Sequence, residues 1–280
     1  MIKPMLAYKV GKKEVDWSEK VFMQPKLDGV RCVISKDGAY SRTGKEWLNI
    51  RHITDNLEPF FKKYPDVVLD GELYNHKLKN DFEKIISLVR KTKPKEFDRT
   101  ESQDYVEFHC YDYIPGPALR DAKFSSRITW LCHELPISYC IKFVNTYLID
   151  NYEEALDKHK HRFLAAGYEG SILRLDRPYE CKRSYNLQKF KDFHDTEATI
   201  VGYVPGKGKF TGLIGKFLMK DDDGVEFGCP IGKGYNFDDR RDILNNVHDY
   251  IGKRATFTYF ERTKAGSYRH PLYKTLRNYE

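Results

Sequence analysis

Short runs in which apolar and polar residues alternate, each broken by glycine or an Asp-Gly pair, recur along most of this chain and tie it to a fold built on half-buried strands. The clearest, YVEFHCYDY at 105–113, sets Val106, Phe108 and Cys110 on one face and Glu107, His109 and Tyr111 on the other. A strand over about 21–25 leads into KLDGVR. A second strand, RCVIS, follows, and Lys36-Asp37-Gly38 turns the chain back into AYSR as a hairpin. DVVLDGELY at 66–74, EGSILRLD and NLQKFK read as further strands. Helical spacing is rarer. Phe82, Ile85, Ile86 and Val89 follow the i, i+3, i+4, i+7 rule after Asn80 as a cap, and a helix of about 152–166 follows Asn151, with Glu154 in a capping box and Gly167 as its stop. The charged stretch 91–104 has no periodicity and reads as a loop.

From about Ala198 the strands shorten: ATIVGYV, IGKFLMKD, VEFGCPI and RATFTYFER, with one short helix near 237–250. That is the pattern of a small β-barrel of the oligonucleotide-binding (OB) type. A length of 280 residues suits two small domains, each able to bury a core. No apolar run reaches the roughly 18 residues of a membrane helix, and the opening MIKPMLAYKVGKKEVDW lacks a signal peptide's apolar segment, so a soluble cytoplasmic protein is expected. The six cysteines show neither zinc-site nor disulfide-framework spacing. Lys and Arg exceed Asp and Glu by seven, and six of that excess lies in residues 1–191, a balance that invites a polyanionic partner.

Six segments carry chemistry, in this order: Lys26-Leu27-Asp28-Gly29-Val30-Arg31, Ser41-Arg42-Thr43-Gly44, Asp70-Gly71-Glu72-Leu73, Phe108-His109-Cys110-Tyr111-Asp112, Glu169-Gly170-Ser171-Ile172-Leu173-Arg174 and Leu187-Gln188-Lys189-Phe190-Lys191. The first places a lysine at a strand end, beside a carboxylate and a glycine that permits close backbone approach. Lys189 and Lys191, two apart on a strand, share a face. GKGKFTG at 206–212 lacks the G-x-x-x-x-G-K-[ST] spacing and reads as a basic barrel turn facing a nucleic-acid backbone.

Together these segments resemble the ATP-dependent DNA ligases of the minimal two-domain kind found in phages and viruses. The C-terminal GKGKFTGLIGKF, FDDRRDIL and ERTKAGSYRHPLYKTLR are similar to that family's barrel. The implied fold class is α+β: an adenylation (nucleotidyltransferase, ATP-grasp-like) domain of antiparallel sheets and flanking helices over 1–191, then an OB-fold β-barrel over 192–280, with a hinge near Asp192 to Thr196. The implied reaction seals nicks in duplex DNA. Lys26 takes AMP from ATP, AMP passes to a 5′-phosphate, and the 3′-hydroxyl displaces it. RNA ligation, or RNA capping with GTP, is the alternative within the same superfamily. A monomer is expected.

The resemblance also assigns roles. Asp28 contributes to sealing, Arg31 reaches the ribose, and Arg42 the 5′-phosphate. Glu169 supports Mg2+ and Glu72 contacts the ribose or a metal. Tyr111 stacks on adenine, and Gln24 reads its amino group. Arg174, Lys189 and Lys191 contact the nucleotide, and the last two act in catalysis. A free lysine amine is protonated at pH 7, and a crowd of cations from Lys189, Lys191 and Arg31 is expected to favour the reactive neutral form.

Overall fold

The computed structural model describes residues 3–11, 13–79, 81–190, 194–232, 234–260, 262–263 and 265–277. The chain divides into two compact units, Met1–Lys191 and Asp192–Glu280. In chain order the first holds β1 (Leu6–Lys9), β2 (Val21–Lys26), β3 (Val30–Ser35), β4 (Gly38–Tyr40), α1 (Arg51–Lys63), β5 (Val68–Tyr74), α2 (Phe82–Val89), α3 (Glu96–Tyr105), β6 (Glu107–Ile114), α4 (Phe124–Glu134), β7 (Ile141–Phe143), β8 (Tyr147–Ile149), α5 (Tyr152–Asp157), β9 (Gly170–Leu175) and β10 (Arg183–Phe190).

These strands form two five-stranded sheets, ordered β1-β10-β9-β2-β8 and β4-β3-β5-β6-β7. Both are antiparallel, as expected, except at an edge, where β1 runs parallel to β10 and β7 parallel to β6, which makes the sheets mixed. The second sheet rests on helices. Ile53, Leu57, Phe60 and Phe61 of α1, Ile85, Leu88 and Val89 of α2, and Phe124, Ile128 and Leu131 of α4 pack with Cys32, Ile34, Leu69, Leu73, Phe108 and Cys110 into one core. The first sheet buries Val21, Met23, Leu173 and Phe190 against Ala155 and Phe163. Smaller clusters, Leu27–Tyr74–Tyr111–Val144 and Met5–Tyr179–Leu187, complete the apolar packing of this unit.

Three local expectations change. Residues 91–104 are not all loop, because α3 occupies Glu96–Tyr105. It buries only Ser102, so there was no apolar stripe to read, and it starts where the Asp98 carboxylate accepts the Lys95 N–H at 2.9 Å. The helix after Asn151 is regular only to Asp157 and continues over Lys158–Leu164 as a π-helical turn. Asn151 caps it by accepting the Glu154 N–H at 2.8 Å, and Gly167 ends it at φ +86°. For α2, Asn80 lies outside the described residues, and Asp81 accepts the Lys84 N–H.

The second unit holds β11 (His194–Pro205), β12 (Ile214–Lys220), β13 (Glu226–Pro230), α6 (Phe237–Asn245), β14 (Arg254–Tyr259) and β15 (Leu272–Leu276), in the sheet order β13-β12-β11-β14-β15. The expected OB barrel is present in a partly open form: Ile231, just beyond β13, meets Tyr273 of β15 in an isolated parallel bridge. Ile200, Phe217, Met219, Cys229, Ile243 and Phe257 fill its core. Of the expected hinge, residues 192–193 lie outside the described residues, while His194, Asp195 and Thr196 already belong to β11 and pair with β14. Among the described residues no helix is long and apolar enough to cross a membrane.

Candidate active site

Strand register decides which side chains meet. In the first sheet Gln24 pairs with Ile172 and Lys26 with Gly170, while Leu187 pairs with Arg174 and Lys189 with Ile172. With a period of two, Gln24, Lys26, Ile172, Arg174, Leu187 and Lys189 share one face. Arg31, Glu72 and Tyr111 come from β3, β5 and β6 of the other sheet. These nine, with Leu6, Ala7, Pro25, Leu27, Arg42 and Arg183, line a cleft of ≈ 230 Å³ in the first unit.

Two glycines bring the backbones close enough. A Cβ on Gly29 would lie 2.4 Å from the Leu73 carbonyl oxygen and 2.7 Å from Glu72 Cγ, so only glycine lets the Lys26–Arg31 segment press against the strand that carries Glu72. Gly170 has φ +153°, and a Cβ there would meet the Phe190 carbonyl oxygen at 2.4 Å. It holds Glu169 against the strand that carries Lys189.

Tyr111 owes its direction to a β-bulge. In the β5–β6 ladder Gly71 pairs with Cys110 and Asp70 with Asp112, leaving Tyr111 as an extra residue. The bulge puts Tyr111 and Asp112 side by side, away from the core that holds Cys110 and Tyr113. The Tyr111 hydroxyl donates to the Gly71 carbonyl at 3.2 Å, with Glu72 Oε2 at 3.4 Å. Burial holds its phenol well above the ordinary range, so the ring is neutral. Only 8% of Tyr111 is exposed, and the guanidinium carbons of Arg31 and Arg174 lie 5.1 and 5.2 Å from its ring centre.

Charge pairing shapes the rest. Asp70, fully buried, takes both prongs of Arg31 at 2.7 and 2.6 Å and the Tyr179 hydroxyl at 2.6 Å. Lys26 is ion-paired with Glu169. Of the cations expected around this amine, Lys189 and Arg31 line the same cleft, Arg31 paired with Asp70, and Lys26 has in addition a carboxylate partner that the sequence did not suggest. Glu72 is pushed up to about 7, chiefly by burial and also by the negative charges of Glu169 and Asp70, against the pull of Arg31 and Lys26. Ser41 folds its hydroxyl back to accept the N–H groups of Thr43 and Lys45, leaving Arg42 exposed at the cleft.

Of the expected site residues, then, Gln24, Lys26, Arg31, Arg42, Glu72, Tyr111, Arg174 and Lys189 converge on the cleft, and Glu169 joins them through Lys26. Asp28 is half-buried beyond the lining, close enough to Tyr74 for its charge to help raise that phenol. Lys191 lies outside the described residues. Ile172 and Leu187 lie in the expected segments without an assigned role, although each sits two residues before an expected one on the same face. Arg183, whose guanidinium donates to the Ala7 carbonyl at 2.6 Å, carried no sequence signal.

Residues 4–191 match the ATP dependent DNA ligase domain, and residues 205–277 match the DNA ligase OB-like domain. The chain belongs to the ATP-dependent DNA ligase family. Among relatives of this ligase is the DNA ligase of Haemophilus influenzae, 29% identical, with 90% of this chain and 84% of that one aligned. The DNA ligase of Enterobacteria phage T4 is 28% identical over 89% of this chain and 62% of its own length. A solved structure of a Lig E DNA ligase superposes on the present ligase with a TM-score of 0.79 at 25% identity, covering 99% of this chain and all of that one.

Proposed function

We propose that this protein seals nicks in duplex DNA with ATP, through AMP carried on Lys26. The observation that carries the reading is the convergence of Lys26, Glu72, Arg31, Arg174 and Lys189 on one cleft in a chain of this family. In the first step a bond forms between Lys26 Nζ and the α-phosphorus as the bond to the departing pyrophosphate breaks. AMP then moves to the 5′-phosphate of the nick, and the 3′-hydroxyl displaces it.

Attack requires a neutral amine, so before the bond forms Nζ passes a proton to the Glu169 carboxylate it is paired with, and from there to solvent. Lys189 and Arg42, at the same cleft, suit the phosphate groups. Tyr111 offers its ring to adenine, and Arg31, held by Asp70 beside that ring, is placed to reach the ribose. Asp28, beside the cleft, acts in sealing.

Glu72 and Glu169 fit a magnesium ion. Such an ion takes one or two protein carboxylates and fills its other positions with water and phosphate. Burial raises the proton affinity of Glu72 although Arg31 and Lys26 pull against it, and a cation held there would offset the cost of a buried carboxylate. Bound there, Mg2+ would offset the negative charge of the phosphates. The bacterial and phage relatives support action in a bacterial or phage-infected cell.

The test is incubation with α-labelled ATP and Mg2+. Label should enter the wild type and not Lys26→Ala, and the charged protein should then seal a nicked duplex. Covalent labelling by GTP in preference to ATP would move the protein to the capping branch instead.

A further inference from the structure

We infer that Arg127, Asp112 and Thr146 set which nucleobase the cleft accepts, by fixing which way round the Gln24 side-chain amide lies. The inference rests on reading the cleft as a nucleotide site.

Gln24 lines the cleft yet is only 1% exposed, and both ends of its amide are engaged. Nε2 donates to the Tyr111 carbonyl at 3.0 Å and to Thr146 Oγ1 at 2.8 Å, while Oε1 accepts from Arg174 Nε at 2.6 Å. A glutamine amide can turn over and exchange its donor for its acceptor. Here each neighbour forbids it. A carbonyl oxygen can only accept, and a guanidinium can only donate. The Thr146 hydroxyl spends its one hydrogen on the Val144 carbonyl at 3.3 Å, so toward Gln24 it too can only accept. With both Nε2 hydrogens committed, the one valence left to a ligand is the second lone pair of Oε1. An acceptor suits the exocyclic amino group of adenine and opposes the carbonyl that guanine carries at the same place.

The lock extends beyond the cleft. Arg174 is itself held by Asp112 Oδ2 at 2.9 Å, and Asp112 receives both prongs of Arg127 at 2.8 and 3.0 Å and the Tyr113 N–H at 2.8 Å. Arg127 also donates to the Ala122 and Arg177 carbonyls at 2.7 and 3.0 Å. Arg127 is 1% exposed and Asp112 fully buried. Two guanidinium groups around one carboxylate are a costly way to fill space, since apolar groups of the same volume generally pack at least as well. They do, however, fix Arg174 in angle as well as place, and Arg174 fixes Gln24. Arg127 is thus a positioning residue, separated from the base by Asp112, Arg174 and Gln24.

The experiment measures covalent labelling by ATP and by GTP, each as kcat and KM, for wild type, Arg127→Met, Arg127→Lys and Thr146→Val. Loss of one orienting hydrogen bond should reduce the ATP-over-GTP preference roughly tenfold in Arg127→Met and Thr146→Val, chiefly through a higher KM for ATP. Arg127→Lys should recover part of it. A purely structural role would lower labelling by both nucleotides equally and leave their ratio unchanged, and that result overturns the inference. If Arg127→Met does not fold, Thr146→Val, nearly the same shape as the parent, decides alone. A wild type labelled equally well by both nucleotides would instead refute adenine reading at Gln24, whereas an ATP-selective wild type with unaltered variants refutes only the lock.

Discussion

Replacing Gly29 with alanine asks whether close backbone contact is what holds the Lys26–Arg31 segment in register with Glu72. The new Cβ would sit 2.4 Å from the Leu73 carbonyl oxygen and 2.7 Å from Glu72 Cγ. Non-bonded heavy atoms rest at about 3.5 Å, so the two strands must part by roughly 1 Å. The oxygen has little freedom to turn aside, because Leu73 is paired with Val30 in the β3–β5 ladder and Glu72 with Arg31. Overpacking of this kind costs about 1–3 kcal/mol of stability. The larger effect should fall on chemistry, since displacing a positioning group by about 1 Å costs on the order of 100-fold in rate. The assay is single-turnover transfer of AMP to the protein, run beside thermal unfolding, with Gly234→Ala as control because a Cβ there meets nothing within 4 Å. If Gly29→Ala labels within about threefold of wild type and unfolds at the same temperature, the contact is not what places Glu72.

Lys26→Ala should lose all covalent AMP yet bind nicked DNA within roughly threefold of wild type, because phosphate contacts supply most of the affinity; a hundredfold loss in a titration would contradict that. Glu72, lifted to about 7 by burial with help from Glu169 and Asp70, holds a proton more tightly in the folded than in the unfolded chain. Stability of the nucleotide-free protein should therefore fall as pH rises from the ordinary carboxylate range through about 7, then level off. Glu72→Gln should flatten that part of the profile, and parallel profiles for the two proteins would refute the assignment. Asp112→Asn should cost about 3–5 kcal/mol in denaturant unfolding, because it strips the shared counter-charge from two buried arginines. A loss below about 1 kcal/mol would show that other groups carry those charges.

What the sequence revealed depended on distance along the chain. Lys26, Glu72, Glu169 and Lys189 sit in short segments whose order and spacing can be read directly, and strand alternation gives the face of Lys189. Their partners are remote: Asp70 is 39 residues from the Arg31 it neutralises, and Arg174 is 150 from the Gln24 amide it orients. Neither Thr146 nor Arg127 lies in a recognisable pattern, and each matters only through what folding brings against it. The Lys26–Glu169 pair joins two residues that can both be identified from their segments, yet their mutual contact is not legible there, and it adds a carboxylate to the charges around the nucleophile. α3 was missed for the opposite reason, since its stability comes from capping and from charged side chains that leave no periodic trace.

The single unpaired residue in β6 makes chain length itself part of the site. Because Tyr111 and Asp112 sit next to each other on the same side of their sheet, no choice of side chains on a regular strand of one residue fewer can reproduce the pair: one of the two would point into the helix-covered core. Deletion scanning through 110–113 should therefore abolish nucleotide charging at every position, including Cys110 and Tyr113, which face the core and not the cleft. A nucleotide site that seems to be specified by which residues are present is here specified equally by how many.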